Sequence, residues 1–186
     1  MKKALIIVDL QRDFCPGGAL PAAGGNGIVP VINKLMQSFD LVIASKDWHP
    51  ARTVHFDRWP PHCIRGSEGA AFHPELNIGR IDEVALKGTG NSDDGYSAFE
   101  ATNLDLAYVL EKQGIAEVYV SGLTTEYCAK ATALDALKAG FKTFVITDAI
   151  AAVNQQPGDD AKALSGMQAA GILLLQSSGI SPSENN

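Results

Sequence analysis

The chain has 186 residues, 46% hydrophobic and 19% charged, with a net charge of −6. That length suits one domain with a full core, and an acidic chain without a Lys/Arg run offers no electrostatic footprint for nucleic acid or an anionic membrane. Its three cysteines are widely spaced and odd in number, which fits free thiols in a reducing cytoplasm better than a disulfide framework.

The N-terminus starts like a secretory leader, but its apolar run covers only Ala4 to Val8 and closes at Asp9. That is too short for the apolar part of a signal, and no segment reaches transmembrane length. Lys3 to Val8 is instead a continuous apolar, β-branched run, the pattern of a strand buried on both faces. A glycine-rich loop follows from Gln11 to Gly27, then a predicted helix over Ile28–Ser38 and a second strand over Leu41–Ala44. The stretch from Ser45 to Gly79 is irregular and holds all four histidines. A third strand is predicted over Ile81–Leu86, ending at Lys87-Gly88, and a helix over Leu104–Gln113 stops at Gly114.

Val118-Tyr119-Val120 marks a central strand, which turns through Gly122-Leu123-Thr124-Thr125 into an Ala/Leu-rich helix ending near Gly140. Lys142–Ile146 reads as the fifth strand, Asp159–Ala170 as a helix and Ile172–Leu175 as the last strand. Six strands alternating with helices predict a three-layer α/β/α domain over residues 1–176 with a mostly parallel sheet. Ser177 to Asn186 is expected to be a loose polar tail.

In parallel sheets of this kind ligands bind beyond the carboxyl ends of the strands. Asp9, Asp47, Lys87 and the 122–128 turn all fall there, so they are expected to converge on one rim. Cys128 is placed in the first turn of its helix, near unpaired N–H groups and the positive end of the dipole, where a thiolate is favoured. A small apolar residue packing under a helix is the plainer reading of that position. No GxxxxGK[ST] loop, GxGxxG turn or GxSxG elbow is present, which leaves Cys128 as the nucleophile in a strand–turn–helix setting. A thiol needs a base to take its proton and return it to the leaving group. Asp9 supplies a carboxylate, and Lys87 an ammonium that relieves its repulsion with a thiolate. Alone, either charge could simply meet solvent at a strand end.

The histidines add a second chemistry. Asp47-Trp48-His49 puts two ligand-type residues at i and i+2 of an extended segment, on one face, and Pro50 keeps His49 extended. His55, His62 and His73 follow in the same irregular stretch. A carboxylate with imidazoles suits zinc, iron or manganese, and three protein ligands would leave open positions for water or substrate.

Val8-Asp9 followed by Gln11 and Asp13-Phe14, the segment SKDWHP, WPPHC at 59–63, YSAFE at 96–100 and GLTTEYC with ATALDA resemble the nicotinamidases of the isochorismatase-like cysteine hydrolase family. The resemblance runs from Leu5 to about Leu175, and DWH with WPPHC is its most specific part. It implies hydrolysis of nicotinamide, or of a pyrazinamide-like analogue, in NAD salvage. Cys128 would be nucleophile, Asp9 base and acid, and Lys87 the third member. It implies a divalent metal, zinc foremost with iron or manganese as alternatives, on Asp47, His49 and His62, with His55 as a further candidate. Phe14, Trp59, Tyr96 and Leu123 would shape the substrate pocket. The backbone N–H groups of Thr124 and Cys128 would form an oxyanion hole beside a cis peptide at Leu123–Thr124. Two departures stand out: Thr124 replaces the usual alanine, and the segment between His55 and Trp59 is short. Cys15 and Cys63 read as bystander thiols and His73 as structural.

Two rival readings stay open at this stage. One is a metal-free relative acting on a carbamoyl or isochorismate-type substrate. The other is a catalytically silent metal- or ligand-binding domain. The expected partner is a small-molecule substrate, and whether the chain forms a homo-oligomer is left open.

Overall fold

Strand β1, Lys2–Val8, runs through the middle of the molecule, with Ala4 to Val8 wholly without exposure. The computed structural model describes residues 1–181. β1 pairs in parallel with β2 (Leu41–Asp47) on one side and β4 (Ile115–Leu123) on the other. β3 (Glu83–Lys87) flanks β2, while β5 (Lys142–Ala151) and β6 (Leu173–Leu175) extend the other half. The sheet order is β3-β2-β1-β4-β5-β6, parallel throughout.

The alternation of β1 divides the core. Ala4, Ile6 and Val8 point to one face, where helices α2 (Leu106–Lys112), α3 (Lys130–Lys138) and α4 (Asp159–Ala169) supply Leu106, Leu110, Ala133, Ala136 and Met167. Leu5 and Ile7 point to the other, under Val29, Ile32 and Leu35 of α1 (Val29–Leu35). Each fully buried Leu or Ile contributes roughly 1.5–3 kcal/mol, so β1 anchors both layers. No helix among the described residues is long and apolar enough to cross a membrane.

Several boundaries differ from expectation, each for a local reason. β3 starts at Glu83, because Ile81 closes a 3-10 turn onto Ile78 and the Asp82 carboxylate accepts from Val42 N–H at 2.8 Å. α2 starts at Leu106, capped by Asp105, whose side chain accepts from Tyr108 N–H at 3.0 Å. α1 tightens into a 3-10 turn over Met36–Ser38. β5 runs past Ile146 to Ala151 through a register shift against β4, which admits the polar Thr147 and Asp148 into the strand. The tail is held for its first residues: Asp148 accepts from Ser177 N–H at 2.7 Å, and Ile180 packs against the second core. Residues 182–186 lie outside the described part.

The sheet order reverses direction between β1 and β4, so a crevice opens beyond Val8 and Leu123. β4 approaches β1 closely there. Gly122 adopts φ +102° opposite Val8, and a Cβ at this position would collide with the Val8 backbone.

Candidate active site

Lys87 is the last residue of β3, in register with Asp47 at the end of β2. Its ammonium lies at the centre of a buried cluster. It donates to Asp47 Oδ1 and to the Gly95 carbonyl at 2.8 Å, pairs with Asp9 Oδ2 at 2.7 Å and lies 3.5 Å from Cys128 Sγ. Asp9 follows β1 in the left-handed region, φ 46°. Its Oδ1 accepts from the Ser45 hydroxyl at 2.7 Å. Oδ2 meets Lys87 off the hydrogen-bond axis and has no other partner among the described residues. One carboxylate oxygen is therefore held, and the other is free to take a proton.

The charges follow from this packing. Burial drives the Asp9 carboxyl up to about 6, with Lys87 opposing and Asp47 assisting. Burial would also raise Asp47, but the Lys87 ammonium against it holds it well below the usual carboxylate range. For Lys87 burial favours the neutral amine, yet Asp47 and Asp9 outweigh it and hold the ammonium firmly protonated.

Cys128 departs from its sequence expectation. It lies in a π-helical turn over Thr125–Ala129, where Ala129 N–H reaches back to the Thr124 carbonyl at 3.1 Å, and α3 begins only at Lys130. Burial pushes its thiol well up, Lys87 opposes, and Asp9 and Asp47 add to the rise. The resting side chain is a thiol. A nucleophile here needs the base beside it. The Leu123–Thr124 peptide is cis.

The second group is built on backbone acceptors. Nδ1 of His49 faces the Gly88 carbonyl at 2.9 Å, Nδ1 of His62 the Pro60 carbonyl at 2.7 Å and Nδ1 of His55 the Asp93 Oδ1 at 2.8 Å. These oxygens only accept, so each Nδ1 carries a hydrogen, and each neutral ring keeps its lone pair on Nε2. His49 Nε2 is buried without a hydrogen-bond partner, 3.5 Å from Asp47 Oδ2. His62 Nε2 lies 3.6 Å from the same oxygen. One ligand atom from each of His49, His55 and His62 falls within 4.8 Å of the others. An orphaned imidazole nitrogen beside a carboxylate, with every second nitrogen engaged, is a donor set that fits a divalent cation. Gly88 makes room for it: a Cβ there would stand 2.5 Å from His49 Cε1.

A narrow cavity brings the two groups into one wall. Cys128, Thr124, Asp47, His55 and His62 line it together with Phe14, Trp59 and Tyr96. Trp59 donates through Nε1 to the Tyr96 hydroxyl at 3.0 Å and meets the Tyr127 ring edge-on, centroids 4.9 Å apart. Leu123, expected in this wall, is packed into the α1-side core instead, because β4 turns that side chain away from the crevice. His73 stays apart, bonded to Asn26 Oδ1 at 3.2 Å. All three cysteines are free; Cys63 has a structural part, its carbonyl accepting from His49 N–H at 3.0 Å.

Sequence reasoning missed several residues. Gln11, without exposure, grips the Asp47 backbone from both sides, accepting at 2.9 Å and donating at 2.8 Å. Its place two residues after Asp9, just past a buried strand, was the available signal. Ser45, Asp93 and the wall residues Leu20, Tyr127 and Val153 left no local pattern to read.

Residues 3–177 match the model of the isochorismatase domain. The chain belongs to the isochorismatase family. Several of the relatives it matches are named nicotinamidases. The chain is 42% identical to the nicotinamidase of Escherichia coli (strain K12), over 92% of this chain and 93% of that protein. Among solved structures, PnC1 from L. infantum in complex with nicotinate has a TM-score of 0.89 and 37% identity, covering 95% of this chain and 93% of that one. The pyrazinamidase of Pyrococcus horikoshii in complex with zinc has a TM-score of 0.85 and 39% identity, covering 95% and 99%.

Proposed function

We propose that this family member hydrolyses nicotinamide to nicotinate and ammonia through a thioester on Cys128. The observation that carries the reading is the shared wall: one cavity is lined by Cys128 and by His55, His62 and Asp47. A metal-free relative would have no use for three imidazoles poised around an orphaned nitrogen, and a silent metal-binding domain none for the buried Asp9–Lys87–Cys128 cluster.

Asp9 Oδ2 takes the thiol proton as Sγ attacks the carboxamide carbon, and Lys87 keeps that carboxylate ionised beforehand. The backbone N–H groups of Thr124 and Cys128 receive the developing oxyanion, an effect worth roughly 3 kcal/mol per donor. Collapse breaks the C–N bond, and the proton held by Asp9 leaves with ammonia. Water then adds to the thioester as Asp9 takes its proton, and nicotinate departs as the thiol re-forms. Trp59, Tyr96 and Phe14 hold the ring and exclude water from the acyl group. The His49, His55 and His62 cluster, with Asp47 Oδ2 at 3.5 and 3.6 Å from two of its Nε2 atoms, would hold the divalent ion, zinc being a good match to imidazole with carboxylate. When bound, it supplies a Lewis-acid point for a pyridine nitrogen.

Ammonia release from nicotinamide and benzamide, with zinc content measured on the same preparation, tests the reading. Nicotinamide should be turned over far faster, since benzamide has a C–H where the ring nitrogen stands. Equal rates for the two amides, or full nicotinamide turnover by chelated enzyme, would remove the metal from the function.

A further inference from the structure

The loop from Gly88 to Gly95 wraps both groups. Its Gly88 carbonyl holds the His49 ring and its Gly95 carbonyl holds Lys87. Asn91 Oδ1 accepts from Val54 N–H at 2.9 Å and so ties the loop to the short 3-10 turn Val54–Asp57 that carries His55. Asp93 lies between these anchors with an unusual set of partners. Its Oδ1 accepts from His55 Nδ1–H at 2.8 Å and from the Tyr96 hydroxyl at 2.9 Å. That hydroxyl in turn accepts from Trp59 Nε1–H. One carboxylate oxygen therefore joins a metal-ligand candidate to two side chains of the ring pocket.

We propose that Asp93 is a positioning residue that aims His55 Nε2 into the metal cluster and, through Tyr96 and Trp59, sets the wall against which the substrate ring is held. The inference rests on the metal reading above and deepens it. The 3-10 turn bearing His55 is only four residues long and belongs to no helix or strand, so the ring orientation must come from a side-chain partner. An acceptor on Nδ1 selects the tautomer with a bare Nε2 and raises the basicity of the ring. The same oxygen closes the chain from Trp59 to Tyr96, so the ring wall and the ligand share one hinge point. Asp93 is not among the residues that line the cavity. It acts through residues that do.

The test uses the full chain and Zn²⁺ in competition with a chromophoric chelator, alongside kcat and KM for nicotinamide. Asp93→Ala should weaken zinc binding by about 10- to 100-fold and raise KM several-fold. Asp93→Ser, too short to span the gap, should do the same if the alanine variant is poorly folded. Asp93→Asn keeps an acceptor oxygen for both donors and should restore much of the zinc affinity. Tyr96→Phe should raise KM yet leave zinc binding as in the parent. In the double variant His55→Ala with Asp93→Ala, zinc binding should be no weaker than in His55→Ala alone, because the path to the metal is already cut, while the rise in KM persists. Unchanged zinc affinity in both truncations, or additive losses in the double variant, would overturn the inference while the metal reading survives. A parent chain that holds no zinc would overturn both.

Discussion

The thiol side of the cavity rests on regular structure, the metal side largely on loop. Asp9 follows β1, Lys87 ends β3, Cys128 sits in the turn after β4, and the first two have no exposure at all. On the other side only Asp47 comes from a strand. His49 is held by a single parallel bridge to Ile64, His55 by a 3-10 turn and His62 by the carbonyl of Pro60. The buried Asp9–Lys87 pair at the centre of the thiol cluster is therefore part of the core, and removing either charge should disturb the sheet. The imidazoles are oriented by individual hydrogen bonds and can be changed singly. Lys87 is the exception that joins them, touching Asp9 and Asp47 at once.

That contrast predicts different kinds of loss. Cys128→Ala should reduce turnover on the order of 10⁴-fold or more, since no other thiol reaches the cavity. Zinc binding and thermal stability should stay close to the parent. Cys15→Ala and Cys63→Ala should remain active, and strong residual turnover in Cys128→Ala would reject the covalent route. Lys87→Met should be the most damaging to folding. It leaves two buried carboxylates without their cation, and breaking such a pair typically costs about 3–5 kcal/mol. A melting temperature within a degree or two of the parent would mean that the cluster is less essential to the core than its burial implies. His49→Ala on the loop side should unfold little, yet lose zinc and most nicotinamide turnover. The advantage of nicotinamide over benzamide should shrink with it. His49→Ala enzyme that keeps zinc and activity would move the ligand set away from Asp47 and His49.

The same division governs what could be read from the sequence. Strand ends in a parallel α/β pattern locate a rim, and this alone predicts that Asp9, Asp47, Lys87 and the 122–128 turn converge there. The histidines were legible as a group only because all four crowd into one irregular stretch. Only the resemblance separates His55 from His73 in the sequence; in the structure the difference is which partner each Nδ1 finds, Asp93 Oδ1 for His55, whereas His73 Nδ1 accepts from Glu75 N–H. The buried Cys128 thiol differs from what the turn alone suggests, for a related reason. A strand–turn–helix pattern suggests a helix N-terminus, but it carries no information on how deeply the turn is buried or how close two carboxylates lie. Long-range placement of charge is a property of the packed sheet. The pattern of neighbours along the chain does not contain it.

The smallest effect is the most direct probe of the thiol side. If Asp9 is the base, only its carboxylate form accepts the thiol proton, and burial has driven that group up to about 6. kcat/KM should then be level near neutrality and fall about tenfold per pH unit well below 6, because protonated Asp9 is inactive. Ser45 sharpens the assignment. Its hydroxyl donates to Asp9 Oδ1 at 2.7 Å, which favours the ionised carboxylate and so opposes the effect of burial. Ser45→Ala removes that donor and leaves Oδ2 and Lys87 in place. The group should become harder to ionise, and the acid limb should move to higher pH by a small but measurable amount, with the plateau rate nearly unchanged. Ser45 touches neither the thiol nor the imidazoles in any hydrogen bond of the described residues, so a shift of the limb reports on Asp9. A limb that stays in place would assign it to another group, with the histidines of the loop side the first to examine. A limb that moves to lower pH would contradict the sign of the interaction and remove Asp9 from the role of base.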